Sequence, residues 1–209
     1  METTGDVVVV RGEEELFART AHLFASADEV ACAANDLHTW AVTQRGHDDV
    51  SSHHGKRIRK LYRPTVLLDP VQAEHIWERH RLGVEIRITR DEVNETIIVG
   101  DRLAILAGTD HSYTVVTRPE VLRSVTTLFD AAWRAATDVK IFDANFAEIR
   151  ALAPQILDVL VSGCKDETAA RTLGLGLRTY RRRVAELMNA LGATSRFQAG
   201  ARARDLGLV

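Results

Sequence analysis

The sequence predicts a two-domain protein of the α+β class: a mixed α/β domain over residues 1–137, a connecting segment over 138–149, and a four-helix domain over 150–209. Three observations predict it. Short β-type runs and amphipathic helical stretches alternate through the first 137 residues. Four short helical segments, separated by glycine-containing breaks, fill the remainder. The charge divides at the same place: residues 150–209 hold ten basic and five acidic side chains, a surplus of +5, whereas the preceding 149 residues hold 17 against 24, or −7. The whole-chain charge of −2 therefore conceals a basic module suited to a polyanion and a larger acidic partner.

In chain order, residues 12–26 place Leu16, Phe17, Leu23 and Phe24 on one helical stripe. Residues 29–34 follow as a strand, and residues 57–64 alternate basic and apolar side chains as a half-exposed strand. Asp69-Pro70 is a helix entry, with Asp as cap and Pro at the first helical position; the helix runs to about Leu82 and stops at Gly83. Strands are expected at 84–89, 96–99, 103–106 and 113–117, with Gly100-Asp101-Arg102 as the turn of a hairpin between the middle two. Arg118-Pro119-Glu120 opens an amphipathic helix that presents Val121, Leu122, Val125, Leu128, Phe129 and Trp133 at 3–4 spacing and ends near Ala136. The apolar residues of 138–150 indicate a docked linker or short helix more than a free tether.

Hydrophobic residues at 45% and charged residues at 27% exclude a disordered or fibrous chain. The longest apolar runs fall far short of the roughly 20 residues of a membrane-spanning helix. The acidic, polar start carries no cationic secretory signal, and Cys32 and Cys164 form no metal or disulfide pattern. A cytoplasmic protein without a membrane partner is expected.

In the basic module, the first helix begins at Pro154, buries Ile156, Leu157, Val159 and Leu160, and ends at Gly163. Asp166 caps a second, very short helix that ends at Leu173-Gly174; a third runs from near Leu177 to Leu191-Gly192; a fourth starts at Ser195 and reaches about Asp205. The second and third, joined around Gly174 to Gly176, form a helix-turn-helix. Arg178, Arg181 and Arg182 lie on a face of the third helix distinct from Val184, Leu187, Met188 and Leu191. A helix that is apolar inward and guanidinium-rich outward fits the major groove, where arginine bonds guanine edges. A solvated basic face is the plainer reading of the arginines alone.

The order of residues adds to this. Asp166-Glu167-Thr168-Ala169-Ala170-Arg171-Thr172-Leu173-Gly174, then Arg178-Thr179-Tyr180-Arg181-Arg182-Arg183-Val184, then Leu191-Gly192-Ala193-Thr194-Ser195-Arg196-Phe197-Gln198-Ala199 resembles the LuxR-type helix-turn-helix domain over about 55 residues. The resemblance implies binding to double-stranded DNA, usually as a homodimer on inverted half-sites. By position it implies Arg181, Arg182 and Ala185 facing bases, Lys165, Arg178 and Thr179 near phosphates, and Ser195 and Arg196 as cap and brace of the last helix. The chain departs from the family pattern at Gln155-Ile156, at Gly176 in place of a Ser/Thr cap, and at Tyr180 in place of an aliphatic residue.

For the larger domain, no nucleophile elbow, phosphate-binding loop, dinucleotide fingerprint or His-Glu-x-x-His is present. His75 and His80 are poorly placed to share a helical face. His47, Asp48, Asp49, His53 and His54 have metal-ligating side chains but read as a surface loop, so no metal and no cofactor is expected. The run Asn94, Thr96, Asp101, Gly108, Thr109 and His111 has the spacing of the phospholipase D motif His-x-Lys-x4-Asp-x6-Gly-Ser-x-Asn. The domain thus resembles a degenerate phospholipase D-like or TrmB-like sensor domain, with the nucleophilic imidazole and its lysine replaced, which implies no catalysis. His54-Gly55-Lys56 offers the first two motif residues but has Leu61 where Asp is required.

Together these readings give a one-component bacterial transcription regulator that is not an enzyme. Its α/β domain senses a ligand or mediates dimerisation, with RNA polymerase and an unidentified small molecule as further candidate partners. The alternative is a protein-interaction module whose helical domain binds no DNA; an active phosphodiesterase is a third class.

Overall fold

Among the described residues of the computed structural model, which are 6–35 and 55–209, eight strands form one mixed sheet and seven α-helices surround and extend it. In chain order these are β1 (Val7–Arg11), α1 (Glu13–Ala25), β2 (Glu29–Ala34), β3 (Arg57–Tyr62), α2 (Pro70–Arg81), β4 (Glu85–Ile88), β5 (Thr96–Val99), β6 (Leu103–Ala107), β7 (Ser112–Val116), α3 (Pro119–Ala135), β8 (Thr137–Asp138), α4 (Val139–Val161), α5 (Asp166–Thr172), α6 (Leu177–Ala190) and α7 (Arg196–Asp205). The strand order is β1-β7-β6-β5-β2-β3-β4-β8. Strands β2, β3 and β4 run parallel, with Cys32 opposite Lys60 and Leu61 opposite Arg87; the other pairings are antiparallel. The β5–β6 hairpin about Gly100 forms as the sequence predicts, with Gly100 at φ 53°.

Period-two alternation sorts the sheet into two cores. Ile97, Val99, Leu103 and Ile105 face one side, where α1 and α2 also contribute Leu16 and Ile76. Ala31, Ala33, Leu61, Ile98 and Ala104 face the other, under Leu122, Phe129 and Trp133 of α3. Asp69 caps α2 by accepting from the Val71 and Gln72 amides, and the helix ends before Gly83 at φ 90°, as expected.

Four expectations are corrected. Strand β3 is interior rather than half-exposed, and its Arg59 is buried against α3. That guanidinium bonds Glu29 at 2.6 Å and Asp130 at 2.7 Å and lies 5.0 Å from the Phe129 ring centre. Leu128 of α3 is 72% exposed, because the helix meets the sheet through a narrower stripe than its apolar pattern.

Residues 139–161 form one helix of 23 residues with Pro154 inside it, so Pro154 does not begin the first helix of the basic module. An interior proline forfeits a helical hydrogen bond. Here Val139, Phe142, Phe146, Ile149, Ala153, Ile156 and Leu157 are buried at 3–4 spacing along the whole length, and that packing outweighs the loss. Finally, Lys165 occupies the cap position of α5, and Asp166 makes no cap bond.

Helix α4 carries one continuous core from the sheet into the basic module: Phe142 and Phe146 belong to the same cluster as Tyr180, Val184, Leu187 and Ala203. The module lies over the carboxyl ends of β2 and β3, where Arg63 and Thr65 share a cleft with Leu191, Arg202 and Leu206.

Among the described residues no helix is long and apolar enough to cross a membrane, and no cluster of three or more His, Cys, Asp or Glu could hold a metal. The stretch containing His47, Asp48, Asp49, His53 and His54 lies outside the described residues.

Candidate nucleic-acid interface

Helix α6 sorts its side chains by face. At about 100° per residue, Arg178, Arg181, Arg182, Ala185 and Asn189 fall within an arc of about 100°, and all five are exposed. Tyr180, Val184, Leu187 and Ala190 are buried on the other side. Thr179 flanks the outer face and is half-buried, while Lys165 is exposed at the start of α5. Every residue carried over as DNA-facing from the sequence is thus at least partly accessible, and they fall on α6 and the start of the preceding helix.

The three consecutive arginines have different surroundings. Arg182 points outward and, like Arg178, has no carboxylate partner among the described residues. Arg181 donates Nε to Asp166 at 2.9 Å. Arg183 is buried, donating to Glu186 at 2.7 Å and pairing with Glu148 of α4. The carboxylates beside Arg183, Glu186 foremost, raise its pKa further. It pins α6 to α4 and is withdrawn from the outer face.

Asp166 is a junction that sequence reasoning missed as such. Its carboxylate, 15% exposed, accepts from Arg196 at 2.6 Å and from Arg181 at 2.9 Å. Those two hydrogen bonds, Arg196 foremost, hold its pKa below the usual carboxylate range, and they raise that of Arg196 in return. Arg196 therefore braces α5 against the start of α7, while Ser195 caps α7 by accepting from the Gln198 amide at 3.1 Å. Gln198 reaches back to the Thr194 amide at 2.7 Å, a reciprocal cap. Gly176, before α6, supplies no side-chain cap, which leaves the first-turn amides free to meet an anion.

Below α6, Arg181, Val184, Ala185, Met188, Ala193 and Arg196 line a shallow groove of about 360 Å³. Its floor is apolar and its rim carries two guanidinium groups.

The motif-like residues of the larger domain do not converge. Asn94, Thr96, Gly108, Thr109 and His111 lie toward one end of the sheet, and Asp101 lies in the β5–β6 turn at the opposite end. Asp110 and His111 adopt φ 54° and 51° in a tight loop, with the His111 imidazole exposed and 4.0 Å from Glu13.

No protein-family model matches the chain. It is similar to TrmBL2, described as an archaeal chromatin protein with a novel mode of DNA binding, at 18% identity over 66% of this chain and 57% of that one, TM-score 0.49. It is also similar to Nuc of Salmonella typhimurium, a phospholipase D family member, at 14% identity over 63% of this chain and 97% of that one, TM-score 0.49. Among curated proteins it matches the bialaphos biosynthetic pathway regulatory protein of Streptomyces hygroscopicus, with 31% identity over 160 residues, which is 74% of this chain. The chain spans 62% of that relative's length.

Proposed function

We propose that this chain is a DNA-binding transcription regulator of the LuxR helix-turn-helix type, acting as a homodimer on double-stranded DNA. The observation that carries the proposal is the outer face of α6: exposed Arg178, Arg181 and Arg182 along one arc, with Ala185 small enough for close approach to a groove. The 31% identity to a protein named as a pathway regulator supports the same reading. The larger domain is proposed to be a non-catalytic sensor or dimerisation unit, since Asn94 and Thr96 offer neither a nucleophilic imidazole nor a cation.

Arg182 and Arg178 engage DNA without giving up a partner. Arg181 and Arg196 first exchange Asp166 for phosphate or base, so their engagement carries the cost of leaving a carboxylate that is 15% exposed without its partners. Mobility shifts on fragments from the chain's own locus test the proposal. Arg181→Ala with Arg182→Ala should lower specific affinity and flatten sequence preference, each lost base contact being worth about 1–3 kcal/mol. Unchanged binding in the double variant would overturn the assignment of α6. A chain that binds no duplex at low salt yet recovers a protein partner would instead be the interaction module.

A further inference from the structure

Between the sheet and the basic module lies a cleft of about 430 Å³ over the carboxyl ends of β2 and β3, the end of parallel strands where ligands commonly bind. Its charged and polar lining includes Arg63, Thr65, Glu92 and Asn94 from the larger domain, with Arg202 and Asp205 from α7. Arg63 is 8% exposed, its Nε is sealed without a hydrogen-bond partner, and among the described residues no carboxylate lies within ion-pairing distance of its guanidinium. Arginine cannot shed its charge, and a buried, unpaired charge is costly.

A second guanidinium approaches the first. Arg202 Nη1 and Arg63 Nη2 each lie 2.5 Å from the point a Cβ on Gly192 would occupy, so these two nitrogens are at most about 5 Å apart. Arg202 donates to the carbonyls of Leu191 and Gly192, which fixes its position without neutralising it. The acids of the cleft, Glu92 and Asp205, are exposed at its rim.

We infer that this cleft binds a small oxyanion, a phosphate or carboxylate group on a metabolite, held between Arg63 of the sensor domain and Arg202 of the basic module. The anion neutralises two like charges that the fold has brought together, and Asn94 is placed to add a neutral hydrogen bond, while the Thr65 hydroxyl already donates to the Asn35 carbonyl at 2.9 Å. Because its two cations belong to different parts of the chain, the bound anion tightens the seam between sheet and module. The inference gives the proposed sensor role a ligand class and a site, and it rests on that role only for its regulatory consequence.

The test is thermal unfolding of the full chain without DNA, at constant ionic strength, with inorganic phosphate, glucose 6-phosphate, citrate and glucose as probes. At a hundredfold excess over the dissociation constant, one or more of the anionic probes raises Tm by about 5–10 °C, and glucose does not. The phosphate probes and citrate separate the two oxyanion sources. Arg63→Met removes the charge and keeps the stem, so it should be at least as stable as the parent and unresponsive. Asn94→Asp, an exposed change that adds a carboxylate to the cleft, should also lose the response, and it serves if Arg63→Met does not fold.

Equal shifts in parent and variants would mean general exclusion of salt from the surface and would overturn the site. So would no shift with any anionic probe. Duplex binding measured on the same preparations is scored separately, so loss of the DNA reading and loss of the anion site remain distinguishable.

Discussion

Arg183→Ala separates an arginine that builds the module from one that reads DNA. The side chain is 10% exposed and bonds Glu186 at 2.7 Å while pairing with Glu148. Hydrogen bonds to charged groups contribute about 1.5–3 kcal/mol each, which for two would be roughly 3–6 kcal/mol if both carboxylates stayed dry. Glu148 is 65% and Glu186 38% exposed, so both regain water, and the expected loss falls to about 2 kcal/mol.

For a chain of 209 residues that is a fall in Tm of about 4–8 °C, read by circular dichroism or urea titration. Arg183→Met, which keeps the packed stem, should lose less. Arg182→Ala, one residue away and exposed, should change stability by under about 0.5 kcal/mol while weakening DNA binding. An Arg183→Ala melt within about 1 °C of the parent, or an Arg182→Ala melt displaced by the amount expected for Arg183→Ala, would refute the division of labour.

Asp166→Asn should cost about 1 kcal/mol near neutral pH, since its two guanidinium partners are half exposed. The folded-state pKa of Asp166 is depressed. Its contribution is therefore full above the unfolded value near 3.9 and is lost as pH falls through the folded value. Parent and variant stabilities should differ at pH 7 and converge as pH falls through the folded value. Burial pushes the Cys32 thiol up to about 11, whereas Cys164 is partly accessible. A thiol-specific disulfide reagent at pH 8 should accordingly modify one cysteine quickly in the native chain and two in urea; fast reaction of both without denaturant would contradict the buried strand.

Much of the fold was legible because its elements carry local signals. Asp69-Pro70 and Gly83 bracket α2, Gly100 turns the β5–β6 hairpin, and Ser195 caps α7. Strand β1 was missed: its four valines show no alternation, and only pairing with β7 and packing of Val10 define its faces. The start of α4 was misplaced at Pro154 because local propensity favours proline in a first turn. The burial of Val139, Phe142, Phe146 and Ile149 that overrides it depends on the sheet, although their 3–4 spacing was visible.

At the candidate interface, periodicity identified the outward arginines and set Val184 and Leu187 inward. It could not reveal that Asp166 holds Arg181 and Arg196, or that Arg63 and Arg202 meet at Gly192. Those contacts join residues far apart in sequence, each an unremarkable polar position in its own segment.

The basic module is proposed to bind duplex DNA through α6 and the start of α5. The most direct test is fluorescence anisotropy of the full chain on a duplex from its own locus, titrated with salt. Affinity should fall linearly on a log–log plot with a slope near −0.9 per phosphate contacted, and Lys165→Ala should make that slope shallower by about one unit. No binding to any duplex at low salt, or an affinity indifferent to salt and to the α6 arginines, would contradict it.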